Sequence, residues 1–215
     1  MNKSRLEALS DGVFAIVMTI LIFSIKVPAF TQSETNEQLL SALLDLGPVF
    51  LSYFVSFMVL AMFWLSHHFI YSVFTKNIDR VLALLNILFL SFVAVVPFSA
   101  QLLGTYPGMP IAGVVYGVNL AIISIITLII INYAEYSDEI DTSHIEDSTL
   151  RRATIRVYMT LTCSTIGVAT ALVHDDISLV FFMLPILFTA SPRSFRFLEY
   201  VTRGIGIGRN KKGSN

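Results

Sequence analysis

Charge is scarce in this chain. Asp, Glu, Lys and Arg make up 13% of its 215 residues, about half the share of an ordinary soluble domain, while hydrophobic residues make up 55%. Such a sequence cannot clothe a water-facing surface, and its long uncharged tracts point to lipid. Cysteine is nearly absent. Cys163 alone excludes an intrachain disulfide and a cysteine-based metal cluster, and its apolar surroundings make it a small packing residue. There is no internal repeat, no phosphate-binding glycine motif and no metal-ligand spacing, so no cofactor is expected. A net charge of -1 gives no footing for nucleic acid or an acidic substrate. The only clustered side chains suited to catalysis are His67 and His68 with Asp11, too thin a set for an enzyme.

What is present is a series of apolar segments. A hydrocarbon core of about 30 Å needs roughly 20 helical residues, with about 17 as a floor. Six segments qualify as candidates: residues 9–27, 43–66, 81–103, 109–134, 157–173 and 177–191. The sixth is short and contains Pro185. The last two read alternatively as one re-entrant hairpin. The first segment is too long for the core of a signal peptide, contains Asp11, and is followed by no clear small-x-small cleavage site. It reads as a retained span. No charge occurs from Val81 to Ala134, a tract too long for one helix, and the Gly104–Pro110 stretch supplies a tight connection. The stretches 28–42, 67–80 and 135–156 read as more polar connections. The expected fold is an all-α integral membrane protein of six transmembrane helices, with a channel domain over 1–199 and a basic, flexible cytoplasmic tail over 200–215.

Charge placement gives an orientation. With both termini cytoplasmic, 13 of the 14 Lys and Arg residues fall on the inside and Lys26 alone lies outside. That bias also favours an even number of spans. The acidic stretch 135–147 reads as a solvated loop, or else as a cation-attracting mouth.

The first helix carries the chemistry. Ile16, Thr19 and Phe23 stand at i, i+3 and i+7, with Gly12 one turn before Ile16, so all four share one helical face. One such helix encloses nothing, but several copies around an axis would stack rings of identical side chains. Rings of Ile16 and Phe23 would be apolar constrictions able to gate by dewetting, and a Thr19 ring would offer a weak polar site between them. No carboxylate follows along the stripe, which argues against a calcium-selective cage. The same spacing also suits packing or lipid contact, with Thr19 bonded back to the carbonyl of Ala15.

A polar cluster flanks the stripe. Arg5, Ser10 and Asp11 begin helix one, while Trp64, His67 and His68 end helix two at the same membrane face. Charge at the mouth of a lipid-embedded helix is costly without a partner. A histidine bonded to Asp11 would favour the ionised carboxylate and fix the aim of the stripe. Trp64 alternatively serves as an interfacial anchor, and the histidines as headgroup-level loop residues. Asn86, a polar residue within the uncharged tract, reads as a bond to a neighbouring helix, as does Asn119. Gly113 and Gly117, four apart, permit close helix packing.

These residues resemble the prokaryotic branch of the transmembrane protein 175 family, potassium-selective cation channels. The resemblance rests on Arg5 followed by Leu9-Ser10-Asp11-Gly12 and Val13-Phe14-Ala15-Ile16, with Leu9 where the family carries phenylalanine. It continues in Phe63-Trp64-Leu65-Ser66-His67-His68, in Asp79-Arg80, in Leu84-Leu85-Asn86-Ile87-Leu88-Phe89-Leu90 and in Pro97-Phe98. It implies a homotetramer whose four first helices line a pore without the usual carbonyl filter loop; no TVGYG-like sequence occurs. The family's apolar pore positions fall on Ile16 and Phe23 and its pore threonine on Thr19. Its structural network falls on Arg5, Ser10, Asp11, Trp64 and His67 or His68. The implied function is passive potassium flux, with K+ held transiently near Ile16 and Thr19, in a prokaryotic inner membrane with both termini cytoplasmic. The expected partners are K+, membrane lipid and further copies of the chain. A secondary cation transporter, with proton coupling as one form of it, is the alternative.

Overall fold

Residues 2–29, 35–75, 77–137, 140, 147–173 and 175–190 are described by a computed structural model. The expected tail 200–215, the basic residues Lys76, Arg193 and Arg196, and most of the acidic stretch 135–147 lie outside them. Eight helices form among the described residues: α1 (Lys3–Ile20), α2 (Asn36–Leu44), α3 (Gly47–His68), α4 (Arg80–Val93), α5 (Val96–Thr105), α6 (Pro110–Tyr136), α7 (Asp147–Ala171) and α8 (Asp175–Ala190). Four stretches are long and apolar enough to cross a membrane: Lys3–Ser24, Gly47–Ser72, Arg80–Thr105 and Pro110–Tyr136. The segments expected as fifth and sixth spans are helical in α7 and α8. However, α7 begins among Asp147, Arg151, Arg152 and Arg156 and is rich in threonine, and the apolar part of α8 covers only Ser178–Leu187.

Local chemistry sets the helix ends. The Asn2 side chain accepts from the Ser4 N–H and caps α1, and Asp79 Oδ1 accepts from the Leu82 N–H at 2.8 Å and caps α4. The third expected span is broken into two helices. Pro97 has no N–H to give to Val93, and its ring crowds that carbonyl, so the chain turns at Ala94 and Val95 and restarts as α5. The turn into α6 falls at Tyr106–Met109, where Gly108 adopts φ +84°. Gly104 lies inside α5 instead, where an added Cβ would meet Val49 Cα at 2.9 Å. The second expected span begins later than the hydropathy suggests. Residues read as a polar connection form α2, which opens on a reciprocal pair in which Thr35 accepts from the Gln38 N–H and Gln38 accepts from the Thr35 N–H.

The long helix α6 packs against α4, α5, α7 and α8, while α1 lies at the side of the bundle against α3, α4 and α5. Phe182 of α8 is driven between α6 and α7. A Cβ at Gly167 would stand 2.4 Å from Phe182 Cε1, and one at Gly117 would stand 2.5 Å from Val168 Cγ2 and 2.9 Å from the same ring. The ring also meets Tyr116 edge-on at 5.0 Å between centroids. Gly167→Ala therefore forces the ring from its slot and is expected to cost about 1–3 kcal/mol. A lowered thermal transition of the detergent-solubilised protein checks this, and an unchanged transition contradicts the packing.

Candidate functional site: the open face of the first helix

Helix α1 has two unlike faces. Leu6, Ser10, Phe14, Val17 and Leu21 recur at intervals of three and four residues and are buried against the bundle. Gly12, Ile16, Thr19 and Phe23 lie on the other side, all exposed, with Ile16 at 58% and Phe23 at 75%. Nothing stands within 4 Å of a Cβ built on Gly12. Only 28% of the first span is buried within the chain, against 56% of the fourth. The stripe singled out in the sequence is thus the face that the described residues of the subunit leave uncovered.

The stripe is not one straight line. The α-helix ends at Ile20, and Leu21–Ser24 tighten into a 3₁₀ turn. This tightening moves Phe23 off the 3.6-residue register on which the i+7 spacing placed it. Ile16 and Phe23 nevertheless line one open cavity of about 540 Å³, together with Ile20, Phe98 and Gln101. Thr19 and Gly12 are not part of that wall. The Thr19 hydroxyl hydrogen points back to the carbonyls of Ala15 (2.9 Å) and Ile16 (2.8 Å). With its hydrogen committed to the helix, the oxygen keeps lone pairs free, so the hydroxyl can act only as an acceptor. That is the polarity a cation requires.

The polar cluster resolves into two arms. In the buried arm, the Ser10 hydroxyl donates to the Leu6 carbonyl at 2.9 Å, and Asn86 Nδ2 donates to Ser10 Oγ at 3.1 Å. His67 Nε2 meets Asn86 Oδ1 at 2.7 Å. With the amide so oriented, His67 is the donor. The His67 ring is also stacked on Tyr71 at 4.4 Å and Phe89 at 5.3 Å. This arm ties α1, α3 and α4 together. Asn86 is its hub, a role that an amide in a long uncharged tract signals but does not specify.

In the exposed arm, Trp64 Nε1 donates to Asp11 Oδ1 at 2.9 Å. The expected histidine partner of Asp11 is therefore replaced by the indole, and the carboxylate is exposed rather than buried. Consecutive helical residues point about 100° apart, so His67 and His68 cannot both face the bundle. His68 is exposed, stacked on Trp64 at 5.8 Å, with Nδ1 3.3 Å from Ser72 Oγ. Ser72 in turn donates to Glu7 Oε1 at 2.9 Å. Lys3 Nζ donates to the carbonyls of Ser72 (3.2 Å) and Thr75 (2.7 Å), at the π-helical turn Phe69–Phe74 that follows α3. Such a turn shifts the bonding pattern of the last carbonyls, and the lysine satisfies two of them. Arg5 is not drawn into either arm: it is exposed and makes no hydrogen bond or ion pair among the described residues. These bonds place the start of α1 and the end of α3 at one end of the bundle.

Comparison with known proteins matches residues 5–97 to the family described as the endosomal/lysosomal potassium channel TMEM175. A protein named as a potassium channel in Streptomyces collinus is 43% identical over 107 residues, 49% of this chain and 50% of that protein. One similarly named in Chamaesiphon minutus is 41% identical over 125 residues, 56% of this chain and 61% of that protein. The chain thus matches about half to three-fifths of the length of these relatives. The chicken relative, named an endosomal/lysosomal proton channel, is 40% identical over 47% of this chain and 21% of its own length. Among solved structures, a lysosomal potassium-selective channel TMEM175 homologue from Chamaesiphon minutus superposes with a TM-score of 0.75 at 31% identity, over 89% of this chain and 97% of that one. The open face of α1, the Asp11–Trp64 pair and the Ser10–Asn86–His67 arm all lie inside the matched residues, and the chain belongs to the TMEM175 family.

Proposed function

We propose that this chain is a subunit of a potassium-selective cation channel, passing K+ passively through a pore lined by the first helix of each subunit. The carrying observation is the exposed face of α1: a membrane-length helix that turns Gly12, Ile16, Thr19 and Phe23 away from its own subunit. Copies of that face around a shared axis, four in a homotetramer, make rings of Ile16 and Phe23 that narrow and dewet the path. The Thr19 oxygen, an acceptor without a spare hydrogen, holds K+ briefly between them. Weak, single-layer coordination suits an ion that must leave as readily as it enters. The two hydrogen-bonded arms hold the back of α1 against α3 and α4 and so fix which face looks inward. Arg5, exposed beside this region, is free to face a neighbouring copy.

The subunit in this reading has six membrane helices, formed by α1, α3, the broken α4–α5 pair, α6, α7 and α8. Both termini are cytoplasmic in a prokaryotic inner membrane, as the distribution of Lys and Arg favours. The names of the relatives support a cation channel, and those of the vertebrate relatives make proton passage a question for the same experiment. Purified protein in a planar bilayer under opposed K+ and Na+ gradients is expected to carry current that reverses near the K+ equilibrium potential. Reversal near the Na+ potential would make the channel sodium-selective, and saturating flux that requires a pH gradient would replace the channel reading with a transporter. Absence of current from intact oligomers would leave a structural protein.

A further inference from the structure

Helix α2 is left exposed by the described residues. Its nine residues include none that is buried, and Leu39, Leu40, Leu43 and Leu44 are exposed by 40–71%. At 100° per residue these four leucines share one side of the helix, whereas Glu37, Gln38 and Ser41 occupy the other. The capping pair of Thr35 and Gln38 fixes the helix start without help from packing. The segment therefore builds a regular, two-faced helix whose apolar face none of the described residues covers.

Its position says what covers it. Only Asp45 and Leu46 separate its last residue from Gly47, where the span of α3 begins. The three steps from Leu44 to Gly47 reach at most about 11 Å, so the end of α2 cannot leave the boundary of the bilayer. The exposed leucines run on along the chain into Phe50, Leu51, Phe54 and Met58, the exposed apolar stripe of α3. We propose that α2 is a bilayer-surface anchor, lying along the leaflet opposite the Lys3 end of the bundle with its four leucines among the acyl chains and Glu37, Gln38 and Ser41 in the headgroup layer. The polar side carries acidic and neutral groups without Lys or Arg, so the attraction is apolar and independent of anionic lipid. The anchor holds the entry of α3 at a fixed depth. It does not depend on whether the chain conducts ions.

Nitroxide labels test this in full-length protein carrying Cys163→Ser, reconstituted in phosphatidylcholine vesicles. Labels at Leu40→Cys and Leu44→Cys are compared with labels at Gln38→Cys and Ser41→Cys by collision with oxygen, which concentrates in lipid, and with a water-borne nickel chelate. The oxygen-to-nickel ratio is expected to be higher on the leucine face by about tenfold. Leu39→Cys and Leu43→Cys sample the same face, so poor folding of one variant does not remove the comparison. Equal ratios on the two faces would put the helix in water and overturn the proposal. Exclusion of both reagents from the leucine face would overturn it too, because a second copy or another protein would then be the cover.

Discussion

Ile16→Asn is expected to raise ion flux by about tenfold or more and to bring K+ and Na+ permeabilities close together. The argument is one of dewetting. A ring of isoleucines offers no hydrogen bond, so water and ions cross it only by losing hydration, and that loss falls hardest on the more tightly hydrated Na+. An asparagine of similar size places an amide at each position, which keeps water in the ring and lowers the barrier for both ions. Ile16 is exposed and away from the packed face of α1, so the change leaves the fold of the subunit alone. Flux and reversal potential measured in liposomes and bilayers read the effect directly. If both remain at the parent values, Ile16 is not at the constriction.

The second large effect is on the bundle. Asn86→Ala removes the hub between α1, α3 and α4. It takes the acceptor from the His67 N–H and the donor from the Ser10 oxygen, whose own hydrogen stays on the Leu6 carbonyl, in a place closed to water. An unmet buried polar group costs about 1–3 kcal/mol, and hydrogen bonds between membrane helices measure toward the low end of that range, so a loss of about 1–2 kcal/mol is expected. The coupling is specific: Ser10→Ala should add less to Asn86→Ala than it costs alone, because its partner is already gone. Thermal unfolding of the two single variants and the double variant in detergent checks this. Strictly additive losses would show that Ser10 and Asn86 do not act as one unit.

The parts of this molecule that sequence made legible are those governed by local pattern. The two faces of α1 follow from residues spaced by three and four, and the charge-free tract from Val81 to Ala134 marks helices wherever they begin and end. The parts that escaped depend on chain segments far apart or on backbone detail. Ser10 and Asn86 are separated by 76 positions, and no periodicity announces that they meet. Asp11 was open to several neighbours, and only the packing of α1 on α3 selects the indole of Trp64. The 3₁₀ turn at Leu21–Ser24 takes Phe23 out of register without leaving a mark in composition. Helix α2 had a signal in Thr35 and Gln38, but its short length and polar flanks resembled a linker. The broken third span had one too, because Pro97 lacks the hydrogen that an unbroken helix needs.

The central claim is that the open face of α1 meets permeating ions. Its most direct test is chemical. Thr19→Cys in a Cys163→Ser background is exposed to a charged, membrane-impermeant thiol reagent while current is recorded. Progressive block of K+ current, slowed when K+ occupies the path, is the expected result. A cysteine that a lipid-soluble maleimide labels but the charged reagent never reaches would place Thr19 against lipid and contradict the account.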